Sequence, residues 1–171
     1  MNRLFYIFIA AVLVFAQSSC IHDDVPEKAD IVRVGDRLPD FSVTMNDGTV
    51  VTGAALREQL SVVLFFHTSC PDCQQLLPQL QPLYDEYSAK NVAFALIARE
   101  EGEEAISAFW RAHNLTMPYS PQRDRAVYAL FAKSLIPRVY VSDESGVVQR
   151  IFSDNPLPSY EEIKAAIDKL L

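Results

Sequence analysis

Val62-Val63-Leu64-Phe65-Phe66-His67-Thr68-Ser69-Cys70-Pro71-Asp72-Cys73-Gln74-Gln75-Leu76-Leu77-Pro78 is the stretch on which the reading of this chain turns. An unbroken apolar run that ends just before a Cys-x-x-Cys and continues into helix-permissive sequence reads as a buried strand delivering two thiols to the first turn of a helix. The unpaired N–H groups of a helix start carry partial positive charge and favour a thiolate over a thiol there. Cys70 is therefore the expected nucleophile. Cys73, one turn later and deeper, is placed to close a disulfide with it.

Outward from this stretch, the sequence predicts strands alternating with helices. Gly35 to Phe41 leads into a hairpin, Phe41–Met45 and Thr49–Thr52, around the turn Asn46-Asp47-Gly48, a strong short-range hairpin signal. Residues 53–59 make one helical turn or two, and Ser61–His67 is the central strand. A helix over 71–88 carries Leu76, Leu77, Leu80 and Leu83. Pro71 suits its start, where the missing N–H is unpaired anyway, and Pro78 kinks it. A second buried strand covers 91–98, an amphipathic helix runs from Glu101 to His113, and a Pro-containing connection spans 115–124. A short helix over Arg125–Ser134 follows, then Leu135-Ile136-Pro137, a strand Arg138–Ser142, a turn at 143–146, an edge strand Val147–Phe152 and a last helix Tyr160–Leu171. That order implies an α/β fold whose mixed central sheet has helices on both faces, with an added N-terminal hairpin.

The chain has 171 residues, half of them apolar, enough for one targeting segment and one domain. Met1-Asn2-Arg3 followed by the apolar run Leu4–Ala16 has the plan of a secretory signal, too short to span a bilayer. Ala16-Gln17-Ser18-Ser19-Cys20 resembles a bacterial lipoprotein box, with Gln17 departing from the usual aliphatic residue, so Cys20 is the expected lipidation site. Ordinary cleavage that leaves Cys20 as a free thiol is the alternative. The expected division is a signal peptide over 1–19, an acylated N-terminus and tether over 20–34, and one domain over 35–171. Acidic residues directly after Cys20 raise the further possibility of sorting to the outer membrane. The formal charge is −7, and loss of residues 1–19 removes only Arg3, leaving 14 basic against 22 acidic residues, near −8. Such a surface repels nucleic acid.

Four features in order resemble the thioredoxin-like family of the TlpA/ResA type: Gly35-Asp36-x-x-Pro39-Asp40-Phe41 with its hairpin, Phe65-Phe66-x-x-x-Cys70-Pro71-x-Cys73 with Pro78, an acidic residue at Glu100, and Ile136-Pro137 before a strand. Ser69 and the Pro-Asp dipeptide depart from the family's commoner residues. The resemblance implies a thioredoxin-like three-layer sandwich and an extracytoplasmic thiol–disulfide oxidoreductase without a bound cofactor. It would be a monomer, lipid-anchored on the periplasmic side of the envelope. Its partners would be disulfide-containing exported proteins, such as apo-cytochrome c or mispaired chains, and a membrane or periplasmic thiol donor.

The resemblance further implies a cis bond before Pro137, although proline alone favours trans, and it leaves the backbone of Ile136 free to pair with substrate. Glu100 would pass a proton to or from Cys73, with Glu101 the match if the loop is shifted by one. Pro71, Asp72 and His67 border the thiol and are counted with Ile136 as substrate-facing. Asp72 should oppose the thiolate of Cys70 and a protonated His67 should favour it, which points to a reducing couple. The simpler alternative for His67 is a strand-end residue outside the chemistry.

Other readings compete. Zinc needs two more ligands, and His22, His67 and His113 are isolated, so no metal is expected. A thiol-dependent peroxidase would want Thr and Pro where His67 and Val63 stand. A non-enzymatic copper or apo-protein binding module is a further alternative, but copper proteins of this fold usually space their cysteines by three residues and add a distant His, unlike Cys70-x-x-Cys73.

Overall fold

The computed structural model describes residues 30–171. The signal peptide over 1–19, Cys20 and the tether to residue 29 lie outside the described residues. The elements are β1 (Ser42–Thr44), β2 (Val50–Thr52), α1 (Gly53–Leu56), β3 (Ser61–Phe66), α2 (Pro71–Tyr87), β4 (Ala93–Ala98), α3 (Glu103–Ala112), β5 (Tyr119–Ser120), β6 (Arg138–Ser142), β7 (Val148–Phe152) and α4 (Tyr160–Asp168). β1 and β2 form the expected hairpin as a separate two-stranded sheet, and the main sheet runs β5-β4-β3-β6-β7. β4 and β5 lie parallel along one side of β3, and β6 and β7 are antiparallel on the other. All six residues of β3 are buried, as a central strand covered on both faces requires.

The two crossovers β3-α2-β4 and β4-α3-β5 step the same way across the sheet, and right-handed connections then put both helices on one face. Phe94, opposite Val62 in the register, meets Tyr84 of α2 at 5.5 Å between ring centroids. Phe66, on the same side of β3 as Val62, meets Trp110 of α3 at 5.2 Å. α4 lies beside α2, with Lys164 Nζ 3.3 Å from Glu86 Oε1.

The opposite face is an aromatic layer. Phe65 packs on Phe131 at 4.8 Å and on Tyr128 at 5.4 Å, and Phe131 on Tyr140 at 5.1 Å and on Phe41 at 5.6 Å. Here the structure corrects the helix expected over Arg125–Ser134, because only Tyr128–Leu130 is helical, as a 3-10 turn. The reason is tertiary. The Phe131 carbonyl, which a helix would give to Leu135, accepts instead from the N–H groups of Ile31 and Val32, both at 3.0 Å. Leu135 turns away with φ 74°.

Two more boundaries move. Within the expected connection 115–124, Tyr119–Ser120 pairs with Leu96 and Ile97 as an edge strand. The β1–β2 hairpin covers that edge, since Asn46 accepts from Tyr119 N–H at 2.9 Å and the Ser120 hydroxyl donates to Thr44 O at 2.7 Å. The folded unit also starts by Asp30 rather than Gly35: Val32 is buried, and the Asp30 carboxylate pairs with the buried Arg138. Residues 30–34 therefore belong to the domain, not to a tether.

Candidate active site

The register of the sheet builds the site. β3 ends at Phe66 beside the start of β6, where Phe65 faces Arg138. The segment that leaves β3 and the segment that enters β6 must therefore meet at the carboxyl end of β3. There Cys70 occupies the N-cap of α2 with extended backbone and no side-chain cap of its own. Its Sγ–H donates to the Ile136 carbonyl at 3.6 Å, and the Ile136–Pro137 peptide is cis.

The loop that presents Ile136 is held from behind. The Tyr128 hydroxyl donates to Leu135 O at 2.7 Å, the Tyr140 hydroxyl to Phe131 O at 3.2 Å and Arg138 Nε to Ser134 O at 3.0 Å. None of these three supports is marked by a local motif.

The two thiols live in different environments. Cys70 is partly exposed, whereas Cys73 is fully buried among the leucines of α2. Burial pushes the Cys73 thiol far above its ordinary value of 9.0, and Cys70 adds to the rise, while the His67 backbone N–H and the charge of Arg99 pull the other way. Cys73 thus keeps its proton until something takes it. The Arg99 Nε is itself buried and without a hydrogen-bond acceptor, and its guanidinium lies over the Tyr128 ring at 5.3 Å.

The structure corrects the placement of the acidic residue. Glu100 has φ 61° and turns outward, where it pairs with Arg125 at 2.5 Å with 43% of its side chain exposed. Glu101 is the buried carboxylate. It accepts from Thr68 N–H at 2.7 Å and from the Thr68 hydroxyl, and lies 3.5 Å from His67 Nδ1. The cause is a local pairing: Glu101 N–H donates to Gln122 O at 2.6 Å and Gln122 N–H to Glu101 O at 3.1 Å, which fixes the side of the chain on which residue 101 points. Glu101, the other acid weighed from sequence, is thus the carboxylate that bonds the turn leading to Cys70.

The turn that carries Cys70 is over-determined. Cys70 N–H donates to His67 O at 3.0 Å, Gln74 Nε2 to Thr68 O at 2.8 Å, and Ser69 N–H to His67 Nδ1 at 3.1 Å. Sequence reading missed Thr68 and Gln74, whose roles show only once α2 folds back on the turn. Asp72 lies in the first turn of α2, beside Pro71 at its first position. Among the described residues no group of His, Cys, Asp and Glu is placed to hold a metal ion, and no helix is long and apolar enough to cross a membrane.

Residues 34–151 match the AhpC/TSA family model. The chain is 29% identical over 154 residues to the thiol-disulfide oxidoreductase ResA of Oceanobacillus iheyensis, covering 88% of this chain and 78% of that protein. Its fold superposes with a TM-score of 0.75 on the solution structure of a candidate protein disulfide isomerase from Bacteroides thetaiotaomicron, 24% identical and covering 84% and 91% of the two chains. It also superposes on a secreted Mycobacterium tuberculosis disulfide oxidoreductase homologous to E. coli DsbE, with a TM-score of 0.67, 21% identity and coverage of 77% and 96%.

Proposed function

The chain belongs to the AhpC/TSA family, and from that premise and the unequal environments of its two thiols we propose that it is a thiol–disulfide oxidoreductase working through Cys70 and Cys73. One observation carries the reading: a partly exposed thiol at a helix N-terminus lies against the Ile136 carbonyl while its partner thiol is buried and protonated. The Cys70 thiolate attacks one sulfur of a partner's disulfide, forming a mixed disulfide and expelling the other sulfur as a thiolate. Cys73 then gives up its proton and attacks the Cys70 sulfur. The partner leaves as a dithiol, the Cys70–Cys73 disulfide forms, and two electrons have passed to the partner.

Glu101 is the carboxylate through which the Cys73 proton leaves and returns, taking the role expected for Glu100. Ile136, together with Pro71 and Asp72, faces the incoming segment. The secretory-signal plan of Met1-Asn2-Arg3 and the apolar run Leu4–Ala16 supports an extracytoplasmic setting. There the chain is held through acylated Cys20 and acts on disulfides of exported proteins, as a monomer recharged by a membrane or periplasmic thiol donor.

Titration of the full chain in thiol buffers of known poise tests this. A couple near that of thioredoxin, about −270 mV, supports a reductase, whereas one near −120 mV makes the protein a disulfide donor. Absence of a reversible two-electron couple would overturn the enzyme reading.

A further inference from the structure

The imidazole of His67 stands between two partners that require opposite things of one nitrogen. Its Nδ1 lies 3.1 Å from the Ser69 backbone nitrogen, 2.9 Å from the Ser69 hydroxyl and 3.5 Å from Glu101 Oε1. A backbone N–H only donates, so toward Ser69 the nitrogen must be an acceptor, which places the proton of the neutral ring on Nε2. A carboxylate only accepts, so the Glu101 contact becomes a hydrogen bond only when Nδ1 carries a proton. Both cannot hold at once. The ring is 29% exposed, so solvent protons reach it.

The titratable groups around it are Glu101, with Arg99 two residues earlier, from the segment after β4, and Cys70, Asp72 and Cys73 from the first turn of α2. Among the described residues only Glu101 is within ion-pair distance of the ring.

We propose that His67 is a positioning residue that ties proton uptake to the geometry of Cys70. Neutral, it anchors Ser69 and so the backbone that enters α2 at Cys70. Protonated, it turns to Glu101, leaves the Ser69 N–H without its acceptor and engages the carboxylate that otherwise bonds Thr68. The consequence is that Cys70 loses reactivity in acid beyond what protonation of the thiol itself removes. The proposal rests on Cys70 as the attacking thiol, since that is the group being positioned.

Long-range 15N–1H spectra of the full chain with labelled histidine, recorded across the imidazole range of about pH 5 to 8 together with the Ser69 amide shift, test it directly. The expected result is the Nε2–H tautomer at high pH and a Ser69 amide that moves with the His67 inflection. Over the same range the iodoacetamide rate at Cys70, corrected for thiolate fraction, should fall by about fivefold, the worth of one hydrogen bond. His67→Asn keeps an acceptor oxygen near Nδ1 that gains no proton. Its Ser69 amide should stay at the high-pH position throughout and the extra fall in alkylation should vanish. In His67→Ala that amide should sit at the low-pH position at every pH. An Nδ1–H neutral tautomer, or a Ser69 amide blind to the His67 inflection, overturns the proposal. These readouts need no disulfide partner, so a chain without a redox couple can still pass them, and the two readings fail separately.

Discussion

Cys70 and Cys73 are of one residue type, yet burial separates them into a thiol that meets solvent and one that keeps its proton. A variant without the second thiol should stop halfway: Cys73→Ser mixed with a disulfide substrate accumulates a covalent adduct on a non-reducing gel, and Cys70→Ser yields none. The same logic separates the two neighbouring acids. Glu101→Gln keeps the Thr68 contact in shape but cannot carry the proton, so the exchange rate should drop by at least about tenfold and its pH profile should shift. Glu100→Gln breaks an exposed pair with Arg125 and a longer, 4.0 Å contact with Arg99 Nε, and its rate should stay within about twofold of wild type because solvent-screened pairs contribute little. Stopped-flow tryptophan fluorescence at several pH values reads both; a larger loss at Glu100 than at Glu101 would return the role to Glu100.

Helix α2 shows how an element tolerates prolines that its propensity forbids. Pro78 and Pro82 are one turn apart on the exposed side, so the carbonyls they leave unpaired can meet water, while Leu76, Leu77, Leu80, Leu83 and Tyr87 stay buried. Helix α1 depends instead on a close approach. A Cβ added at Gly53 would lie 2.1 Å from the Pro39 carbonyl oxygen, a backbone atom that cannot yield by a side-chain rotation. Gly53→Ala should therefore cost about 1–3 kcal/mol, read as a lowered urea midpoint. Helix α4 starts with a capping box, in which the Ser159 hydroxyl oxygen and the Glu162 carboxylate each accept from the other's backbone N–H. Ser159→Ala should cost about 1 kcal/mol of stability and leave the Cys70 alkylation rate unchanged, since α4 meets α2 at Glu86 and Tyr87, the end of that helix opposite Cys70.

For the whole molecule the buried thiol links stability to pH. Cys73 is harder to ionise folded than unfolded, so above its ordinary value of 9.0 the unfolded chain releases a proton that the folded chain retains. The stability held below that pH is then lost as pH rises, at about 1.4 kcal/mol per pH unit. Burial shifts Tyr119 and Tyr140 the same way, but they act equally in a Cys73→Ala variant. The difference in urea midpoint between reduced wild type and reduced Cys73→Ala, followed from about pH 8 to pH 10, should therefore fall with pH; a constant difference would mean that Cys73 ionises as readily folded as unfolded. The sequence by itself determined the hairpin at Asn46-Asp47-Gly48, the central strand, the placement of Cys70 at a helix start and the buried face of α2, because turn chemistry and hydrophobic period act between near neighbours. Only the tertiary structure decided that Glu101 rather than Glu100 faces the site, that residues 125–134 hold a single 3-10 turn, and that residues 30–34 belong to the domain. In each case a distant backbone group takes the hydrogen bond, Gln122 for Glu101 and the Ile31 and Val32 N–H groups for Phe131, and no local pattern records which distant partner will arrive.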